Sequence, residues 1–398
     1  MIKMVDVKHI TVVGAGLMGH GIAQVALMAD YDVTLVDIKQ EFVDKGEAKI
    51  EEGIKKLEAK GKLGEGISAG DVMGRLAKSI DLATAVKNTD FVIEAVVEKM
   101  EIKKQVCKTV MDNGSNHVIF ASNTSTMSIK EIGKDSGAPD RVCGMHFFNP
   151  VPLMRLIEVI RSEDTSDDTF NKAMAVAETF PCLRGDRYIA PVLKDAPGFI
   201  VNRMNAPVQI YLNWCFDTAR EKGLDWAQID ADAGGKMPMP PCMLTDFVGI
   251  DTSYHVMQYY KETLSPDFQP GEVLTELYEK GDLGQKTGKG FYDWSQGRDA
   301  IKSKIKDAEP SGLFDLVTTF AVMLNEGCRI LDEGIASGYK IIDDANMAGM
   351  NAPGPFGAGK RNYEEWSKIL ENLADKTGKD YFRPIELMKT GKFTKMRK

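Results

Sequence analysis

The stretch that most restricts the fold is the opening of the chain. Ile10–Val13 is a short apolar run, Gly14-Ala15-Gly16-Leu17-Met18-Gly19 follows it at once, and a helical run, Leu17–Met28, comes next. In that setting G-x-G-x-x-G predicts a strand–turn–helix unit that cradles a dinucleotide. The first glycine allows the tight turn, the second lets pyrophosphate approach the backbone, and the third permits close helix packing. The helix N-terminus adds unpaired N–H groups and a partial positive charge. Asp37 closes the next strand, Thr34-Leu35-Val36-Asp37, where a carboxylate can hold both ribose hydroxyls. A carboxylate there repels a 2′-phosphate, so NAD is predicted over NADP. A purely structural glycine turn is the plainer alternative.

This unit opens an alternating region. Further β-rich runs at Val33–Val36, Phe91–Ala95, Val118–Ala121 and Val142–Phe147 are separated by amphipathic stretches. That rhythm predicts an α/β Rossmann-type domain with a mostly parallel sheet, over residues 1–190. Leu183–Asp195 shows no strong period and leads into a turn, Asp195-Ala196-Pro197-Gly198. Beyond it, long helical patterns dominate, beginning with Phe199–Lys222.

The second half repeats the order of its features. Gly223-Leu224-Asp225, Pro238-Met239-Pro240-Pro241 and Leu277–Leu283 are matched by Gly338–Asp343, Pro353-Gly354-Pro355-Phe356 and Leu387–Phe393. Two all-α domains of one pattern are expected, over 191–298 and 311–398, with Asp299–Pro310 as a charged link.

Composition excludes several classes. With 50 basic against 58 acidic residues and no long basic block, the chain is a poor nucleic-acid binder. The six cysteines and five histidines show no metal-ligand spacing, so no metal site is expected, and reduced buried thiols fit a cytoplasmic protein. No apolar run approaches the roughly 18 residues of a membrane span, and the start leaves no room for a signal peptide before the first strand.

Three clusters carry chemistry. His146 ends an apolar strand and is followed by Phe147-Phe148-Asn149-Pro150-Val151-Pro152; Glu158 lies inside the apolar run Leu156–Ile160. His146 reads either as a satisfied core histidine or, at the carboxyl end of a strand, as a base in the ligand crevice. A carboxylate embedded in an apolar strand needs a partner, and pairing with His146 would fix the imidazole tautomer and stabilise the imidazolium. Ser122-Asn123-Thr124-Ser125-Thr126 is either an N-cap region for a helix near Ser128–Gly133 or a polar cluster facing cofactor and substrate. Lys45, Lys49, Lys56 and Lys60 recur at helical spacing, either as a solvated face or as a site for a polyanion.

Together these residues resemble the L-3-hydroxyacyl-CoA dehydrogenase family, which includes 3-hydroxybutyryl-CoA dehydrogenases. The likeness runs from about Ile10 to Trp294. It also takes in Asp195–Arg203 and Lys286-Thr287-Gly288-Lys289-Gly290-Phe291-Tyr292. The resemblance implies an NAD-dependent oxidoreductase of fatty acid metabolism acting on an acyl-CoA, with His146 as general base and Glu158 as its orienting partner. It implies that Ser125 and Asn202 hold the substrate, and that Gly14, Gly16, Leu17, Met18, Gly19, Asp37, Glu98, Lys103, Asn149 and Lys286 contact the cofactor. Lys60 corresponds to a contact with CoA phosphate, whereas a serine of the family pattern is replaced by Gly53. The resemblance further implies a homodimer, or an internal pseudo-dimer if the tandem helical copy takes the place of a partner's domain. A dehydrogenase of a free hydroxy acid or sugar acid, and a non-catalytic NAD-binding protein, are the rival readings.

Overall fold

The computed structural model describes residues 7–397. The chain divides into two compact units: residues up to Val201 together with Gly334–Pro353, and Asn202–Glu333 together with Gly354–Arg397.

The first unit is built on one eight-stranded sheet. Its strands are β1 (His9–Val13), β2 (Asp32–Val36), β3 (Leu76–Ser79), β4 (Phe91–Glu94), β5 (Ile119–Ser122), β6 (Val142–Phe147), β7 (Leu156–Ile160) and β8 (Tyr188–Val192). They lie in the order β3-β2-β1-β4-β5-β6-β7-β8. Chain order reverses at β1, and such a reversal leaves a crevice at the carboxyl ends of the strands. β4, β5, β6 and β7 are buried along their whole length, which is why apolar residues dominate them.

The sheet is mostly parallel, and one pair is not: β7 runs antiparallel to β6. The short segment between them has no room for a crossover helix, which a parallel pair requires. Helices of this unit are α1 (Leu17–Met28), α2 (Gln40–Glu58), α3 (Ala69–Met73), α4 (Leu82–Ala85), α5 (Met100–Asn113), α6 (Ile129–Gly133) and α7 (Asp167–Thr179). Side-chain caps start several of them; Ser166, for example, accepts from Thr169 N ahead of α7.

The second unit is helical. It holds α8 (Val201–Glu221, whose first residue ends the other unit), α9 (Trp226–Ala231), α10 (Pro241–Val248), α11 (Ile250–Thr263), α12 (Glu272–Lys280), α13 (Arg298–Asp307) and α14 (Leu316–Asp332). After α15 (Tyr339–Met350), it resumes with α16 (Phe356–Thr377) and α17 (Glu386–Lys389). Asn213 accepts from Gly271 N at 2.8 Å just ahead of α12, and Asn325 accepts from Ile385 N at 2.9 Å just ahead of α17. Most of the charged stretch Asp299–Pro310 is α13, which buries Ile301 and ties Lys304 to Asp225 at 2.8 Å. Ile301 and Ile305, four residues apart, put its apolar side chains on one face of the helix.

α15 packs with the sheet, although it falls inside the expected second helical domain. It lies against β7 and β8, and Leu193 N donates to Ile335 O at 2.8 Å. Gly349 permits the approach: a Cβ there would stand 2.7 Å from Leu156 Cδ2 and 3.3 Å from the Phe148 ring.

Candidate active site

The glycine loop and Asp37 form one cradle. Gly14 has φ +102°, and a Cβ on it would meet Ala95 O at 2.5 Å; a Cβ on Gly19 would meet Gly14 O at 1.6 Å. Gly16 has open space where a Cβ would be, the opening a pyrophosphate needs. Asp37 accepts from Ala15 N and Ile38 N, both at 2.7 Å, which holds its carboxylate at the end of β2. A cavity of about 500 Å³ opens over these residues. Ile38, Ile80 and Val97 line it although each is more than half exposed. Exposed isoleucines and valine around a cavity suit an adenine ring. These residues fit a dinucleotide, with Leu17 and Met18 on the first turn of α1.

The His–Glu pair is set by sheet register. His146 on β6 lies directly opposite Glu158 on β7, so both side chains leave the same face. Nδ1 of His146 is 2.7 Å from Oε2 of Glu158, and Glu158 is wholly buried. A carboxylate can only accept, so Nδ1 carries a proton, and in the neutral ring Nε2 is then the nitrogen with the free lone pair. The other oxygen, Oε1, accepts from Ile200 N at 3.1 Å and Val201 N at 3.0 Å. The buried carboxylate is thereby satisfied on both sides. Rings of Phe148 and Phe199 stand 4.6 and 5.7 Å from the imidazole.

The turn that presents those two amides is constrained. Gly198 has φ +77° and Phe199, not a glycine, φ +54°, a conformation that costs free energy and is held by its surroundings. Asp195, at the start of the turn, accepts from Ser128 Oγ at 2.7 Å and Lys130 N at 3.0 Å. Ser128 also caps α6 through Glu131 N. The turn is thus tied to the helix that follows the Ser122–Thr126 segment.

That segment is organised by two carboxylates, buried Glu94 and exposed Glu98. Glu94, fully buried at the end of β4, binds Lys103 Nζ at 2.8 Å, Ser122 Oγ at 2.6 Å and Val96 N at 2.8 Å. Lys103 is 1% exposed, and its second partner is Glu98 at 3.0 Å. Glu98 in turn accepts from the Thr124 hydroxyl, Ser125 N at 3.3 Å and Thr126 Oγ1 at 3.4 Å. Ser125 is partly exposed at the carboxyl end of β5. Asn123 Oδ1 accepts from Phe147 N at 2.9 Å, which ties this segment to the strand carrying His146.

The other predicted residues are distributed over both units. Asn149 is exposed beyond β6, joined to Pro150 by a cis peptide bond. Asn202 stands in the first turn of α8, and Lys286 pairs with Asp251, both in the helical unit. Lys45 and Lys49 line the dinucleotide cavity. Lys60 falls past the end of α2, in a turn, and is exposed. At Gly53 a Cβ would meet Gln24 Oε1 at 2.6 Å, so a serine would require Gln24 to move.

Sequence reasoning missed Glu94, although the argument that singled out Glu158 applies to it: a carboxylate inside the apolar run Phe91–Ala95. It also missed the amides of Ile200 and Val201, because backbone donors leave no mark on residue type. A second cavity, of about 580 Å³, lies in the helical unit by Asp230, Lys302 and Lys306; no His–carboxylate pair lines it. Among the described residues no cluster of side chains could hold a metal ion, and no helix is long and apolar enough to cross a membrane.

A dinucleotide cradle and a histidine–carboxylate pair, both at carboxyl ends of one sheet, define a nicotinamide-dependent oxidoreductase. Residues 9–181 match the family described as 3-hydroxyacyl-CoA dehydrogenase, NAD binding domain, and residues 198–294 match its C-terminal domain. The chain belongs to the 3-hydroxyacyl-CoA dehydrogenase family. It is 38% identical over 308 residues to human mitochondrial hydroxyacyl-coenzyme A dehydrogenase, a match covering 73% of this chain and 93% of the relative. It is 40% identical over 286 residues to a probable 3-hydroxybutyryl-CoA dehydrogenase of Deinococcus radiodurans, covering 71% and 99%. The crystal structure of 3-hydroxybutyryl-CoA dehydrogenase from Escherichia coli matches with TM-score 0.83 at 25% identity, over 97% of this chain and 98% of that one.

Proposed function

We propose that the chain interconverts (3S)-3-hydroxyacyl-CoA and 3-oxoacyl-CoA with NAD, on a short acyl chain such as 3-hydroxybutyryl-CoA. The observation that carries this reading is the His146–Glu158 pair, with Nδ1 held at 2.7 Å and Nε2 left to act. Bound NAD would take up or deliver hydride at its nicotinamide ring. In the oxidising direction Nε2 of His146 removes the proton of the 3-hydroxyl, and Glu158 offsets the charge of the imidazolium. Ser125 and Asn202 hold the 3-oxygen and the substrate.

The glycine loop and Asp37 bind the pyrophosphate and adenosine ribose. Glu98, Lys103, Asn149 and Lys286 are proposed as further cofactor contacts, with buried Lys103 acting through Glu98. Lys60 is proposed to meet CoA phosphate. The bulk of the work expected of the enzyme is positioning and electrostatics.

We further propose that the chain comprises a dinucleotide domain (1–190) and two helical copies (191–298 and 311–398). The like roles of Asn213 and Asn325 ahead of α12 and α17 support this. So do Phe268 and Phe382, each fully or nearly fully buried at the end of a 3-10 turn. Two copies in one chain would form an internal pseudo-dimer in place of a homodimer, in a cytoplasmic enzyme. Sedimentation as a monomer is expected; a tight dimer joined through the first copy would contradict it.

The substrate assignment is tested by NADH oxidation with acetoacetyl-CoA, longer 3-oxoacyl-CoAs and free acetoacetate. Turnover with the CoA thioesters and little with the free acid is expected. Equal turnover with the free acid would refute the acyl-CoA reading.

A further inference from the structure

We propose that Glu326, on α14, is a positioning residue for the first turn of α8 and therefore for Asn202; this rests on the substrate-holding role given to Asn202 above. Asn202 is followed by Arg203, whose side chain is 4% exposed. The guanidinium Nε is bound by Glu326, 123 residues later in the chain, and Nη2 is bound by Glu333 at 2.8 Å. Glu326 has no exposure at all. Its Oε1 also accepts from Tyr381 OH at 3.0 Å, and its Oε2 from Arg329 Nη1 at 2.8 Å.

A guanidinium so deeply buried cannot tolerate the loss of its partner without moving, because an unpaired charge in the interior is costly. Arg203 is fixed to the backbone next to Asn202, so any rotation of α8 that re-solvates Arg203 also displaces Asn202. Misplacement of a substrate-holding group by about 1 Å can cost on the order of 100-fold in rate. Glu326 lies beyond Trp294, the last residue that either family domain matches. The C-terminal segment therefore does more than pack: it fixes a residue of the proposed site.

The test uses the full chain, with acetoacetyl-CoA and NADH. Glu326→Gln keeps the volume but presents an N–H where an arginine needs an acceptor. A fall in kcat of about 10- to 100-fold is expected, with the NADH dissociation constant, read by fluorescence, within about twofold of wild type. A purely structural role would leave kcat unchanged once normalised to the NADH-binding fraction, and that result would overturn the proposal. If Glu326→Gln does not fold, Glu333→Gln carries the test, since Glu333 is 38% exposed. Its kcat should fall by about threefold with NADH affinity unchanged, and an unchanged kcat would overturn the proposal. His146→Gln is assayed alongside. Retained turnover in that variant would remove the active-site reading itself, a failure distinct from that of Glu326.

Discussion

Replacing Glu158 by Gln isolates the orienting half of the proposed proton relay. The carboxylate accepts three hydrogen bonds: His146 Nδ1 at 2.7 Å, Ile200 N at 3.1 Å and Val201 N at 3.0 Å. An amide has one oxygen, so one side must lose its acceptor. If the oxygen stays with the two backbone amides, the NH₂ faces Nδ1, and the imidazole must carry its proton on Nε2, the wrong nitrogen for a base. If the NH₂ faces the backbone, two buried N–H donors are left opposed to it. A hydrogen bond to a charged group contributes roughly 1.5–3 kcal/mol, which corresponds to about 10- to 150-fold in rate. The tautomer change deepens that loss. Asp37 and the glycine loop make no use of Glu158, so NADH affinity should hold. The assay is NADH oxidation with acetoacetyl-CoA at saturation, beside NADH binding by fluorescence. A kcat within threefold of wild type would refute the reasoning, as would a loss explained wholly by weaker NADH binding.

Three further outcomes are expected. Asp37→Ser removes the acceptor of Ala15 N and Ile38 N and the charge that repels a 2′-phosphate; NADH KM should rise and the NADPH-to-NADH preference should increase at least tenfold in steady-state kinetics. Gly349→Ala gains about 1 kcal/mol of helix propensity but forces a Cβ to 2.7 Å from Leu156 Cδ2. Overpacking costs about 1–3 kcal/mol, so the melting temperature should fall, and kcat with it, because Phe148 lies against both Gly349 and His146. Burial raises the Asp230 carboxyl to about 6 from 3.8, only partly offset by Cys242 N, Tyr292 OH and Met243 N. The folded form therefore holds this proton to higher pH than the unfolded form. The stability it contributes is complete below pH 4 and is lost as pH rises through 6. Denaturant unfolding should show wild type losing about 2–3 kcal/mol relative to Asp230→Asn across that window.

The reading of the sequence went furthest where apolar burial is two-sided. β6 and β7 were legible to the residue, as was α1, because a strand buried on both faces or a helix behind a glycine loop leaves few alternatives. β3 and β8 were not. Lys78 and Ala77 of β3 are exposed, so it shows no apolar run, and β8 is an edge strand whose Pro191 argues against a strand in sequence. The pairing of His146 with Glu158 was legible because burial alone requires a partner for such a carboxylate. What holds the pair was hidden: a left-handed turn at Gly198 and Phe199, and two backbone amides beyond it. Lys103 shows the opposite limit, since a lysine in an amphipathic helix carries no sign that it is 1% exposed between two glutamates.

The claim at the centre is that His146 moves the proton while the cofactor moves the hydride. The direct measurement is kcat of His146→Gln for acetoacetyl-CoA reduction and 3-hydroxybutyryl-CoA oxidation, with NADH affinity measured on the same protein. Loss of a general acid–base group predicts a fall on the order of 10²–10⁴ in both directions with NADH binding retained. Turnover within threefold of wild type in either direction would contradict it.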